Sequence, residues 1–276
     1  MLDKKNLSKL AIIAGRGDLP QMIIEKCQAQ NVPFIIITIK NQPYNFSVAN
    51  FDHFEIEFGE ISKALKILEE NNVQQLVFAG GVNKPSMTGI KFDAKGAILI
   101  SKILSNRLFG DDNLLSTVLR FFEKSGFEVI GADEIIDDLT VPKGVLTKAK
   151  PNKENLVDIA IAQKALQDMA HLDIGQAVAV QQKQIIGVEA IEGTDALMGR
   201  CKDLAFKNGS RPVLVKMKKK KQNKKVDLPA IGSKTVENLK DCGFSGLAFE
   251  GDGAIVINQK KVVQLADEYG LFIVGV

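Results

Sequence analysis

Apolar residues along this chain fall in two recurring patterns, short continuous runs and stripes spaced by three and four positions. The run Leu10 to Ala14 predicts a buried strand. Gly15-Arg16-Gly17 predicts a tight turn after it, Pro20 suits the first turn of a helix, and Ile23, Ile24 and Cys27 give that helix an apolar stripe. Phe34 to Ile39 is the next strand, and a strand, crossover helix and strand in that order demand a parallel sheet. The pattern then repeats. Ile61, Ala64, Leu65 and Leu68 predict an amphipathic helix, and Leu76 to Ala79 a strand ending in Gly80-Gly81. Leu114, Val118, Leu119 and Phe122 predict a helix before a strand from Glu128 to Gly131. Residues 1–139 therefore read as a Rossmann-like three-layer α/β domain with a parallel sheet.

Thr140 to Asn152 carries two prolines and three lysines without a helical period, so residues 140–153 read as a linker. Residues 154–276 read as a second domain, α/β or α+β with a mixed sheet. It opens with a helix from Glu154 to Ala170 whose apolar side holds Leu156, Ile159, Ala160, Leu166 and Met169. Ala177 to Gln181 and Ile185 to Ala190 predict a hairpin, and Gly193 a turn into a short helix. A strand from Pro212 to Lys216 and a helix from Lys234 to Cys242 follow. Gly246 to Phe249 and Ala254 to Ile257, around Gly251-Asp252-Gly253, predict a second hairpin, before a helix from Lys261 to Glu268 and a strand from Leu271 to Val274.

Composition narrows the chemistry. The 276 residues are 45% apolar and 25% charged, enough for a sizeable core and too apolar for a disordered chain. A net charge of +3, two tyrosines and no tryptophan argue against nucleic-acid binding. Cys27, Cys201 and Cys242 lie far apart, as do His53 and His171, so neither a zinc knuckle nor a Ser-His-Asp triad is expected. Met1 to Ser8 is polar and the apolar run behind it is short, so no signal peptide is expected. No run of ~18 apolar residues exists to span a bilayer. A soluble, cytoplasmic protein is the expectation, with contact at a membrane surface left open.

Gly15-Arg16-Gly17-Asp18-Leu19-Pro20 begins like a dinucleotide fingerprint in the right strand-to-helix setting, where backbone N–H groups can hold phosphate. The third glycine is replaced by Pro20, and the second strand ends in Lys40 where an NAD enzyme usually places a carboxylate, so NAD is disfavoured. Gly80-Gly81-Val82-Asn83 also closes a strand at the edge where open α/β sheets bind ligands. Either glycine segment is equally a plain turn or loop. Lys216, Lys218 to Lys221, Lys224 and Lys225 place seven lysines in ten residues, a solvated loop or an anionic-lipid contact. Asp227 follows, an ordinary turn aspartate or a metal ligand, and Glu189, Glu192 and Asp195 form an acidic cluster around Gly193-Thr194. Hard cations in phosphate chemistry need one or two carboxylates, which Asp227, Asp195 and Glu189 offer.

Six segments together are more specific than any one. Ala14 to Pro20, Phe78 to Pro85, Gly110 to Leu115, Leu172 to Gln176, Val188 to Asp195 and Val226 to Gly232 resemble, in order, the motifs of the LpxI-type UDP-2,3-diacylglucosamine pyrophosphatases. The resemblance extends to the closing Gly270 to Gly275. It implies two α/β domains with the substrate between them. The implied reaction is magnesium-dependent hydrolysis of the substrate's pyrophosphate to UMP and 2,3-diacylglucosamine 1-phosphate in lipid A biosynthesis, with Asp227 matching the catalytic aspartate. Where the family tends to have aspartate and arginine just before it, this chain carries Asn223 and Lys225.

On this reading Gly15, Arg16, Gly17, Gly80, Gly81, Asn83, Gln176, Thr194 and Lys225 are candidates for binding substrate. Asp227, Asp195 and Glu189 are candidates for holding Mg²⁺ or Mn²⁺. The expected partner is the lipid-linked UDP-sugar, with weak peripheral contact at the inner-membrane surface, no nucleic acid, and a homodimer left open. Two rivals are a non-catalytic nucleotide-sugar or lipid-binding protein of the same fold, and an NAD-linked oxidoreductase resting on fold analogy alone.

Overall fold

The computed structural model describes residues 8–83, 90–105, 111–136, 139–172, 174–218 and 229–276, with backbone alone for 111–114. The described residues form two compact units, 8–136 and 139–276.

In the first unit β1 (Leu10–Ala14) is the middle strand of a five-stranded sheet. Its order is β3-β2-β1-β4-β5, with β2 (Phe34–Ile39), β3 (His53–Ile56), β4 (Gln75–Ala79) and β5 (Glu128–Ile130), and every pairing is parallel. Parallel strands are covered on both faces, which is why β1 and β2 read as unbroken apolar runs. On one face α2 (Ile61–Glu70) and α4 (Asp111–Lys124) bring Leu65, Leu68, Leu119 and Phe122 against Ala11, Ile35, Ile37, Leu76 and Val129. On β1, α1 (Leu19–Gln30) buries Ile23, Ile24 and Cys27, and α5 (Ala132–Ile135) packs beside it. The chain runs outward from β1 to β2 and β3, then crosses back to lay β4 on the other side of β1. That reversal opens a crevice at the carboxyl ends of β1 and β4.

Besides the short α5, two elements of this unit differ from expectation. β3, His-Phe-Glu-Ile, is an edge strand whose first three positions are exposed or half-buried, and so it lacks an apolar run. A further helix, α3 (Ala94–Ser105), starts where Asp93 caps it: Oδ1 accepts the Gly96 N–H over 2.8 Å. The other oxygen, Oδ2, accepts the Ser62 N–H over 2.6 Å, so one carboxylate caps α2 and α3 together.

The second unit holds a six-stranded mixed sheet in the order β6-β13-β11-β9-β7-β8. Its strands are β6 (Gly144–Val145), β7 (Ala177–Gln181), β8 (Gln184–Val188), β9 (Val213–Lys216), β11 (Gly246–Phe249) and β13 (Phe272–Gly275). β9, β11 and β13 are parallel, while β7 runs antiparallel to both β8 and β9. Alternation along the strands separates two cores. Val178, Val180, Val213, Val215 and Ala248 face α6 (Lys153–Met169) with its Ile159, Ala162 and Leu166. Ala177, Ala179, Leu214, Leu247 and Phe249 face Leu197, Val236 and Val262 of α7 (Thr194–Leu204), α8 (Ser233–Asp241) and α9 (Gln259–Glu268). On α6, Leu156 is exposed and Asp158 is buried instead, its carboxylate accepting the N–H groups of Gln182 and Lys183 at the β7–β8 turn.

One expectation is corrected here. β11 does not form a hairpin with the segment after Gly251-Asp252-Gly253. It pairs in parallel with β9 and β13, and β12 (Ile255–Val256) pairs in parallel with β10 (Ala230–Ile231) in a separate two-stranded sheet. Asp252 does adopt positive φ, so the turn signal is real but the strands it joins take other partners. The proline- and lysine-containing stretch from Thr140 is packed: β6 pairs antiparallel with β13, and Val141 is buried in the core.

Candidate active site

Each unit gathers candidate residues at the carboxyl edge of its parallel strands. In the first unit the ends of β1 and β4 clasp each other: Arg16 N–H donates to Gly81 O over 2.8 Å and Gly81 N–H to Arg16 O over 2.9 Å. The backbones approach too closely for side chains. A Cβ on Gly15 would lie 2.4 Å from Gly81 O, and one on Gly80, where φ is +86°, 2.4 Å from Arg16 O. Arg16 Nη1 donates to Asn83 Oδ1 over 2.7 Å, and Asn83 N–H donates to Gln42 Oε1 over 2.8 Å.

This clasp changes which groups face a ligand. The N–H groups of Gly15, Arg16, Gly81 and Asn83 are engaged within the protein. Among the described residues the Gly17 N–H takes no partner, and a Cβ there would meet nothing within 4 Å. The exposed Arg16 guanidinium and Gly17 are therefore among the groups this crevice presents. At the end of β2, Lys40 pairs with Glu57 over 3.3 Å, leaving a cation where an NAD site places a carboxylate.

In the second unit one sheet edge collects Gln176 before β7, Glu189 after β8 and Lys216 closing β9. Glu189 is buried; its Oε2 accepts the Gln176 N–H over 3.0 Å and its Oε1 the Thr194 hydroxyl over 2.9 Å. Asp195, exposed at the start of α7, accepts from Asn238 Nδ2 over 2.8 Å. Gly193, with φ +82°, turns the chain into α7 and so sets Thr194 and Asp195 at its first turn. Glu192 instead pairs with Arg200 over 2.8 Å.

Lys216 is the residue sequence reasoning misplaced. Counted within a solvated lysine run, it is only 8% exposed, and its Nζ donates to Ala230 O over 3.3 Å. Burial pushes its ammonium below the ordinary lysine range, while the carboxylates of Glu189 and Asp195 hold it up. The usable signal is its position: it closes an apolar strand, and a lysine there is paired or costly.

Burial raises all three thiols, Cys27 and Cys201 to about 11, so a thiolate nucleophile is unavailable near neutral pH. Two open grooves of about 840 and 340 Å³ on the second unit contain none of the candidate substrate- or metal-binding residues. Among the described residues no group of three or more His, Cys, Asp or Glu side chains converges as a metal cage. Glu189 and Asp195 are nevertheless hard oxygen donors that both act on the Lys216 ammonium, and Mg²⁺ characteristically takes one or two carboxylates with substrate oxygens completing the shell. The donor set fits that partial kind of site. Asp227 and Lys225 lie outside the described residues, as do the side chains of Asp111 and Asp112.

Comparison with known proteins covers nearly the whole chain. The model of the LpxI N-terminal domain matches residues 9–139, and that of the LpxI C-terminal domain residues 142–274. The chain is 34% identical over 98% of its length, and 98% of the relative's, to the UDP-2,3-diacylglucosamine pyrophosphatase LpxI of Caulobacter vibrioides. Among solved structures, an N5-carboxyaminoimidazole synthase from Aspergillus clavatus is 12% identical over 64% of this chain and 39% of that one, with a TM-score of 0.25. A short chain dehydrogenase family protein from Francisella tularensis is 14% identical over 60% and 66%, with a TM-score of 0.26. Such low scores carry no argument.

Proposed function

The chain belongs to the LpxI family, and on that premise we propose that it hydrolyses the pyrophosphate bond of UDP-2,3-diacylglucosamine, yielding UMP and 2,3-diacylglucosamine 1-phosphate in lipid A biosynthesis. The observation that carries the reading is 34% identity to the Caulobacter pyrophosphatase across 98% of both chains.

Pyrophosphate hydrolysis asks for neutralised phosphoryl oxygens and an oriented water, and little covalent work from the protein. Arg16 and the Gly17 N–H supply donors for phosphoryl oxygens in the first unit; in the second Lys216 supplies a cation, and the Thr194 hydroxyl, whose proton goes to Glu189, is an acceptor for substrate. Glu189 keeps Thr194 and the Gln176 backbone in register through its two hydrogen bonds. Asp227 orients the attacking water and takes its proton as the water oxygen bonds to phosphorus and the bridging oxygen leaves with the other phosphate. Asp227, with Asp195 and Glu189, would hold Mg²⁺ or Mn²⁺, which would supply further neutralisation of phosphoryl charge. With Asn223 and Lys225 before Asp227, the ammonium of Lys225 offers a point charge rather than a bidentate clamp.

The protein works in the cytoplasm and meets the membrane surface weakly, through Lys218 to Lys221, Lys224 and Lys225. Lys216 is excluded from that set by its burial. No helix among the described residues is long and apolar enough to cross a membrane. The test is incubation of the purified chain with UDP-2,3-diacylglucosamine and Mg²⁺. UMP and the diacyl sugar phosphate are expected, and excess EDTA should stop their formation. Release of UDP, no product, or full turnover in EDTA contradicts the corresponding part of the reading.

A further inference from the structure

We propose that the outward face of α3 is a docking surface for an anionic lipid bilayer. Helix α3 is held firmly by its inner side. Gly96 and Leu99 are buried, and a Cβ on Gly96 would lie 2.2 Å from Gly59 O, so the helix backbone sits directly on the loop before α2. Asp93 fixes its start by the shared cap, and Lys95 N–H donates to Ser62 Oγ over 3.2 Å. A helix anchored this way presents a defined outer face, on which aliphatic side chains stand beside the exposed Ser101 and Ser105. Ile98 is 50% exposed, Leu104 42% and Phe92, just before the helix, 36%. Ala94 and Ala97 are exposed beside them.

The exposed charges on this segment itself are lysines, Lys102 with its ammonium 5.6 Å from the centre of the Phe121 ring. Lys91, Lys95 and Lys102 are exposed along the segment, and α3 itself carries no carboxylate. The acid of this stretch, Asp93, has its oxygens turned to the N–H groups of Gly96, Ser62 and Lys63. Aliphatic side chains flanked by lysines suit the boundary between acyl chains and anionic headgroups. The apolar groups leave water there, and the ammonium groups reach phosphate oxygens on flexible stems. A soluble protein partner would be met equally well by an apolar face without this cationic border; the border selects an anionic surface. The proposal rests on the reading of the substrate as diacylated, since such a lipid resides in the bilayer that α3 would hold.

The experiment uses the full chain and vesicles of phosphatidylcholine, with or without one quarter phosphatidylglycerol, in a sedimentation assay. The variants are the double substitution Ile98→Ser/Leu104→Ser and the double substitution Lys95→Gln/Lys102→Gln. The serine variant should lose about tenfold in binding to the anionic vesicles, yet release UMP from substrate dispersed in detergent at a rate within about twofold of wild type. The glutamine variant should bind the anionic vesicles about tenfold more weakly, with the lysines from 218 to 225 retaining the remaining preference. Wild-type binding by both variants overturns the proposal. So does a serine variant whose turnover in detergent falls along with its vesicle binding, which would make the acyl chains of bound substrate the occupant. A change of oligomeric state in the serine variant would assign the face to a second copy and overturn it too. A wild-type chain that binds vesicles through α3 but releases no UMP in detergent supports the docking surface and contradicts the hydrolase reading.

Discussion

Arg16 and Asn83, the first from the turn after β1 and the second from the segment after β4, join through a 2.7 Å hydrogen bond from Nη1 to Oδ1. The bond ties together the two strand ends that flank the reversal of strand order, where an open α/β sheet receives its ligand. It also aims a guanidinium at that crevice while leaving other donors free for phosphate. Replacing Arg16 by Ala should raise KM about tenfold, with stability changed by no more than about 1 kcal/mol. Michaelis kinetics and urea unfolding measure both. An unchanged KM would return Arg16 to a purely structural role.

Gly80→Ala should behave in the opposite way. Positive φ costs a non-glycine residue about 1–3 kcal/mol, and the new Cβ would press on Arg16 O, so urea unfolding should show a loss of at least that size. A variant as stable as the parent would mean that the clasp opens readily.

These two residues show what is legible in the sequence and what is not. The glycine turns at Gly15 and Gly80 announce themselves because each ends an apolar run, and the bounds of β1 and β2 match those runs residue for residue. Parallel strands buried on both faces leave that trace. β3 leaves none, since an edge strand tolerates His53 and Glu55. The hairpin expected around Asp252 fails for another reason. A turn signal is local, whereas the partners of β11 come from residues 213–216 and 272–275 and are chosen by packing. Lys216 is misread in the same way, because a charge run is counted along the chain while burial is decided across the sheet. Glu189 and Thr194 are recognisable as candidates from sequence, but their mutual hydrogen bond is visible only in the fold.

Lys216→Met removes a buried ammonium while Glu189 keeps its hydrogen bonds to Gln176 and Thr194. If Lys216 offsets phosphoryl charge, kcat/KM should fall roughly 10²-fold, about 2.7 kcal/mol. The urea midpoint should change little, because relief from burying the cation is offset by the lost attraction to the buried Glu189 carboxylate. Full turnover by this variant would make the lysine a structural strut.

The shared cap at Asp93 carries a pH signature. Burial pushes its carboxyl up, but hydrogen bonds from Gly96, Ser62 and Lys63 outweigh that and hold it below the ordinary value of 3.8. A carboxylate depressed in the folded state stabilises fully above its unfolded value and loses that contribution as pH falls through the folded one. Asp93→Ala should therefore cost roughly 1–3 kcal/mol at neutral pH, and the gap to wild type should narrow below pH 3.8. Urea titrations at several pH values measure it; a gap that is constant down to the acid transition contradicts the capping account.

The most direct measurement is UMP release from UDP-2,3-diacylglucosamine by wild type, Asp227→Ala and Asp227→Asn, with substrate binding measured on the same preparations. A carboxylate that orients the attacking water is worth roughly 10²- to 10⁴-fold, so both variants should fall by that much and still bind substrate. Wild type without UMP release, or an Asp227→Asn variant within tenfold of wild type, would contradict the account.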